Sequence, residues 1–216
     1  MKICCLSDLH GNLPNPVDMP RSDLIVVAGD ICPDYVRPSH GHQANWLNTE
    51  WRKWLEYQSA PVVATWGNHD FVGEKPDLIP TDLPWTLLVD EGATIKGLKI
   101  WGTPWSVRFG HWAFMLRDEA LRTVYEKIPP EINLLISHGP PLAVCDETAG
   151  HDRAGSNSIN KAVQFCNRHN HITALVCGHI HEARGVGDLY GTMVLNVSSV
   201  DLSYQLRDEP WTLLEL

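Results

Sequence analysis

The chain has 216 residues, 44% hydrophobic and 20% charged, the profile of an ordinary globular protein able to bury a sizeable core. Seventeen basic residues against 26 acidic ones give a net charge of −9, which argues against the basic face of a duplex-binding protein. A small anionic substrate stays open, because bound dications dominate the field of a site, and no apolar stretch approaches the length of a membrane span.

In chain order, the first apolar runs are Lys2–Leu6, Leu24–Ala28 and Val62–Trp66, whose length and Val, Ile and Leu content suit strands buried on both faces. Before the third of these, Leu47, Trp51, Trp54 and Leu55 fall at i, i+4, i+7 and i+8 and predict a helix with one apolar stripe. The polar stretch Pro38–Gln43 ahead of it, with His40 and His42, reads as a loop. Leu87–Asp90 and Thr94–Lys96 flank Glu91-Gly92 and predict a hairpin, and Leu98–Trp101 a further strand. A second helical stripe, Ala120, Leu121, Val124 and Ile128, stops at Pro129-Pro130. After the strand Asn133–Ser137 comes a third stripe, Ile159, Ala162, Val163 and Cys166, with Ser156 or Ser158 as its N-cap. Ala174–Cys177, Met193–Val197 and Trp211–Leu216 complete the strands, and Gly185–Gly191 reads as a tight connection. Alternating strands and helices, then a strand-rich C-terminal third, predict an α/β sandwich of two packed sheets with helices outside. A single domain over residues 1–216 is expected.

Six cysteines (4, 5, 32, 145, 166 and 177) form no C-x-x-C pair, and several lie inside apolar runs, so buried free thiols are expected. Without disulfide spacing or a secretory pattern at MKICCL, a reducing, cytoplasmic compartment is expected.

Chemistry gathers where the apolar runs stop. Asp8 and His10 follow the first run, Asp30 the second and Asn68-His69-Asp70 the third; His138 follows LLIS, and His179 and His181 follow ALVCG. Strands that end together bring such residues to one sheet edge, where open α/β folds build their sites. Carboxylates, an amide oxygen and imidazoles are the donors for a pair of divalent transition ions. Asp8 and His10 are two apart, a spacing that in extended backbone points both to one face, and His179 and His181 repeat it. Sharing Asp30 divides the seven candidates into two sets of four.

The pattern D-x-H, GD, GNHD, H and GHxH resembles the calcineurin-like metallophosphoesterase superfamily over nearly the whole chain. SDLHGN, GDIC, GNHDF, WGTPW, SHGPPL, CGHIHEARG and LNVSSV are similar to its small single-domain subgroup of metallophosphoesterase-domain proteins. The resemblance implies two packed mixed β-sheets flanked by helices, and two divalent ions, manganese first, with iron, zinc, cobalt or nickel as alternatives. It implies one ion on Asp8, His10, Asp30 and His181, and the other on Asp30, Asn68, His138 and His179. His69 would stand on the leaving-group side, oriented by Asp70, while the ions activate a bridging water. After Asp30 the chain reads ICPDY, without the Asp-Arg-Gly of the protein serine/threonine phosphatases, which turns the expectation away from phosphoproteins.

The implied activity is hydrolysis of small phosphodiesters or cyclic nucleotides, including 2′,3′ forms. Alternatives are a phosphomonoesterase with the same ions, a non-catalytic protein-binding scaffold, and a DNA-end nuclease, which the acidic balance disfavours. Arg108, Arg153 and Arg184 are candidates for phosphate contact but are more simply read as salt-bridge residues. His111 and His151 are candidate pocket residues, His169 and His171 helix-end residues. Trp105 and Trp112 can stack a nucleobase, whereas most of the nine tryptophans read as core.

Overall fold

Continuous Val, Ile and Leu runs make strands that must be covered on both faces. The computed structural model, which describes residues 1–33 and 39–216, shows what covers them. The strands are β1 (Lys2–Leu6), β2 (Leu24–Ala28), β3 (Val62–Thr65), β4 (Thr86–Leu87), β5 (Glu91–Ile95), β6 (Leu98–Thr103), β7 (Ser106–Val107) and β8 (Met115–Leu116). They continue with β9 (Leu134–Ser137), β10 (Ala174–Cys177), β11 (Gly185–Leu189), β12 (Thr192–Asn196) and β13 (Thr212–Glu215). One mixed sheet has the order β13-β1-β2-β3-β4, the other β11-β12-β10-β9-β6-β5, and β7 and β8 form a small pair. In the first, β1 to β4 are parallel and β13 is antiparallel to β1. In the second, β6, β9, β10 and β12 are parallel, with β5 and β11 antiparallel at the edges.

Alternation along each strand sorts side chains between two layers. Ile3, Cys5, Val26 and Val63 meet Ile100, Leu134, Ile136 and Val176 between the sheets. Cys4, Leu6, Val27 and Ala64 face outward, under Leu47, Trp51, Trp54 and Leu55 of a helical stretch. That stretch runs from α1 (His40–Trp46) through a π-helical turn (Leu47–Trp51) into α2 (Arg52–Glu56). On the opposite side Leu135, Leu175, Cys177 and Val194 pack under α3 (Asp118–Tyr125) and α4 (Asn157–Asn167). The result is the expected sandwich of two mixed sheets with helices outside.

Local departures have local causes. The hairpin expected around Glu91-Gly92 does not form. Thr86–Leu87 belongs to the first sheet, Glu91–Ile95 pairs with Leu98–Thr103 in the second, and the turn is Lys96-Gly97, at φ +50° and +82°. Gly185–Leu189 is an edge strand rather than a connection, and the turn is Tyr190-Gly191 at φ +55° and +87°. His40 and His42 lie in a helix because Ser39 caps it, its hydroxyl accepting from His42 N. Ser156, not Ser158, caps α4, accepting from Ile159 N at 3.2 Å. All six cysteines are free, and Cys145 is the one that is not fully buried. Pro38, and Asp34 and Tyr35 of ICPDY, lie outside the described residues. Among the described residues no helix is long and apolar enough to cross a membrane.

Ile136 is inaccessible between the sheets, so Ile136→Ala should lower unfolding free energy in urea by about 2–5 kcal/mol. Val186→Ala, on the exposed face of an edge strand, should change it by less than about 0.5 kcal/mol.

Candidate metal centre

Parallel strands of both sheets finish at one edge. Beyond β1 come Asp8 and His10, beyond β2 Asp30, and beyond β3 Asn68, His69 and Asp70. The second sheet delivers His138 beyond β9, and His179 and His181 beyond β10. An isolated parallel bridge between Ser7 and Ser198 joins the sheets at this edge. All seven ligand candidates therefore meet, as two groups. The donor atoms of Asp8, His10 and His181 lie within 4.8 Å of one another, and so do those of Asp30, His138 and His179. Asp30 Oδ2 faces both groups, 3.8 Å from His10 Nε2 and 3.3 Å from His138 Nε2. Asn68 joins the second group through its amide oxygen, 2.8 Å from His138 Nε2.

Extended-strand spacing is not what produces this. Asp8, His10, Asp30 and His179 adopt φ of +53°, +45°, +51° and +72°, the left-handed region that non-glycine residues rarely occupy. Hydrogen bonds hold them there: Asp8 N donates to Gly29 O at 3.0 Å and His10 N to Asp30 O at 2.9 Å. His179 and His181, two apart, consequently serve different groups instead of one. Close approach also needs glycine at two points. A Cβ on Gly67 would collide with Asp30 Oδ1, and one on Gly178 with Asp8 Oδ2 and Ser7 Oγ.

The donor set itself calls for a cation. His138 Nδ1 lies 2.9 Å from Ala28 O and must donate to it. Its Nε2 then meets Asn68 Oδ1, another acceptor, so that contact requires either a second proton or a positive ion. His181 Nδ1 likewise donates to Asp201 O at 3.2 Å, while its Nε2 points at His10 Nε2, 3.3 Å away. Charges follow this pattern. Burial would raise the Asp30 carboxyl, but the His138, His69 and His10 imidazoles hold it well below the usual carboxylate range. Burial likewise opposes ionisation of Asp8, yet its contact with His181 keeps it low. For His138 burial works against the charged form, and the Asp30 carboxylate overrides it, pushing the pKa up to about 9. His179, buried and beside His138, is pushed down to about 3 and stays a neutral donor. A dication would take the place of the His138 proton.

Other side chains frame these. His69 N donates to Asp30 Oδ1 at 2.7 Å, and its ring lies 4.3 Å from that of Trp112. Asp70 directs its oxygens to Gly67 N, Ile31 N and Cys32 N at 2.7–3.2 Å, so it ties two loops together. Burial first, and the Asp30 charge second, push its pKa up to about 6. Gln43, in the stretch expected to be a loop, also supports the site from α1. Fully buried on α1, its Nε2 donates to His69 O and Pro33 O, and its Oε1 accepts from Val72 N. A glutamine at the start of a helix, facing inward among apolar positions, was the available signal.

A cleft of about 170 Å³ lies over the groups, lined by Phe109, Glu182, Leu202 and Tyr204 as well as by Asp30, Asn68, His69, His179 and His181. None of the three arginines considered for phosphate lines it. Arg108 donates to Met115 O, Arg153 pairs with Asp146 and Glu147, and Arg184 donates to the carbonyls of Ser198, Glu209 and Trp211. Trp105 is engaged with Asp90 Oδ2 at 2.8 Å, and His151 with Glu147 at 2.9 Å. Neither it nor the exposed His111 lines the cleft.

A family model described as calcineurin-like phosphoesterase matches residues 1–183. The human protein called metallophosphoesterase domain-containing protein 1 is 30% identical over 236 residues, covering 97% of this chain and 69% of the relative. An uncharacterized protein of Methanocaldococcus jannaschii is 27% identical, covering 92% of this chain and 88% of that one. Among solved structures, the phosphopantetheinyl hydrolase of Mycobacterium tuberculosis shares the fold at a TM-score of 0.60 and 15% identity, over 99% and 95% of the two chains.

Asp30→Asn should empty both ion positions, because its Oδ2 faces both groups, whereas His179→Asn and His181→Asn should each empty one. Metal analysis of dialysed protein reads this directly. A full complement in the Asp30 variant would refute shared ligation.

Proposed function

The chain belongs to the calcineurin-like phosphoesterase family, whose general activity is phosphoester hydrolysis with two divalent ions, and we propose that it acts on small phosphodiesters, cyclic nucleotides with 2′,3′ linkage among them. The observation that carries the reading is the Asp30 oxygen facing two imidazole groups at once. In this proposal Asp8, His10, Asp30 and His181 hold one ion, and Asp30, Asn68, His138 and His179 the other. When bound, such ions polarise phosphoryl oxygens and lower the pKa of water toward neutrality. Mixed oxygen and nitrogen donors suit manganese, which we take first, and equally admit iron, zinc, cobalt or nickel.

The protein's side chains do the rest. His69 lines the cleft beside Asp30 and is placed to give a proton or hydrogen bond to the departing oxygen. Gln43 and Asp70 fix the backbone that carries it, one through His69 O and the other through Gly67 N. Charge and shape favour a diester. A monoester brings two negative charges past the Glu182 carboxylate at the cleft wall, a diester only one. Phe109, Leu202 and Tyr204 offer apolar walls that suit the second substituent, and Phe109, two-thirds exposed, presents a face on which a planar base can lie. Free, buried thiols agree with a cytoplasmic setting, which belongs to the same proposal, as does the absence of a role for duplex nucleic acid or membrane.

Manganese-loaded protein should turn over a chromogenic phosphodiester faster than the matching monoester; an equal or faster monoester rate would reverse the preference. His69→Gln should keep both ions while kcat falls by about 10²–10⁴. Loss of metal from that variant would show that His69 is a ligand instead.

A further inference from the structure

The first ligand group leans on a segment that the family match does not reach. Ser198, fully buried just beyond β12, has its hydroxyl 2.6 Å from Asp8 Oδ2 and 2.8 Å from Asn196 Oδ1. One hydroxyl proton cannot serve both acceptors. Asn196 cannot turn to offer its amide hydrogens, because Nδ2 already donates to the carbonyls of Cys145, Gly178 and Ile180. Its oxygen is meanwhile served by Ser198 N at 3.2 Å. The carboxylate is the stronger acceptor and the nearer one, so the proton goes to Asp8.

Asp8 Oδ2 thus accepts from Ser198 Oγ and, at 3.1 Å, from His179 N. Oδ1 shares that N–H at 3.0 Å and faces His181 Nε2 at 3.6 Å, toward the ligand group. We infer that Ser198 is a positioning residue: by occupying Oδ2 it makes Asp8 a one-oxygen ligand whose Oδ1 is aimed at the ion shared with His10 and His181. The same segment aims His181, since Asp201 O accepts from its Nδ1 and Arg207 Nη2 donates to its carbonyl at 3.0 Å. This inference rests on the two-ion reading above. Partners that orient a ligand from behind typically change metal affinity by about 10–100-fold when lost.

Calorimetric titration of metal-free protein with manganese, together with the electron paramagnetic resonance signal of free and bound ion, tests it. Wild type should take up two ions. Ser198→Ala and Ser198→Val should each weaken one of the two by about 10–100-fold and leave the other unchanged. Ser198→Thr, which has the shape of Val but retains the hydroxyl, should bind both as wild type does. Unaltered binding by the Ala variant, or equal losses in Thr and Val, would overturn the role of the hydroxyl. Uptake of fewer than two ions by wild type would instead overturn the two-ion reading, and this inference with it.

Discussion

One carboxylate oxygen, Asp30 Oδ2, stands between imidazoles delivered by different sheets, His10 on one side and His138 on the other. Its negative charge is tolerable in a buried place only because several imidazoles and the backbone N–H of His69 surround it. Those partners come from the ends of β1, β3 and β9, so the packing of sheet on sheet and the electrostatics of the site are a single constraint. Sliding the sheets by one residue would separate the charges as well as the core side chains. The apolar layer of Ile3, Val26, Leu134 and Val176 sets the distances at which the donors can cooperate.

Much of this was legible in the amino-acid order. Strands buried on both faces announce themselves as unbroken Val, Ile and Leu runs, and a polar residue with lone pairs after each run marks the functional edge. Register was harder to read. Gly92 looks like a turn residue, yet it sits in β5 opposite Trp101, because a Cβ there would crowd Ile100 O and the Trp101 ring. Alternation also misled at His179, where the chain leaves extended geometry for a left-handed turn and His179 and His181, two apart, diverge to different groups. Such turns depend on hydrogen bonds to other strands, which no short window contains.

Partners remote in the chain were the least legible. Ser198 stood out only as part of LNVSSV, and nothing near it in sequence says that its hydroxyl meets Asp8. Arg184 carries a charge that suggests phosphate, but it spends its donors on main-chain carbonyls near the C-terminal strand. Asp70 illustrates the same point from the acidic side, its oxygens satisfied by three amides of two loops. Charge type is local information. What a charge meets is topological.

The pairing of β1 with β13, and of Asp8 with Ser198 across 190 residues, has a consequence for biosynthesis. While a ribosome is still extending the chain, β1 lacks one neighbour, and the Asp8 carboxylate lacks the hydroxyl that faces it in the finished fold. A nascent polypeptide halted before residue 198 would present histidines and aspartates without their final arrangement, so secure cation capture has to wait until that segment has been made and has folded back onto β1.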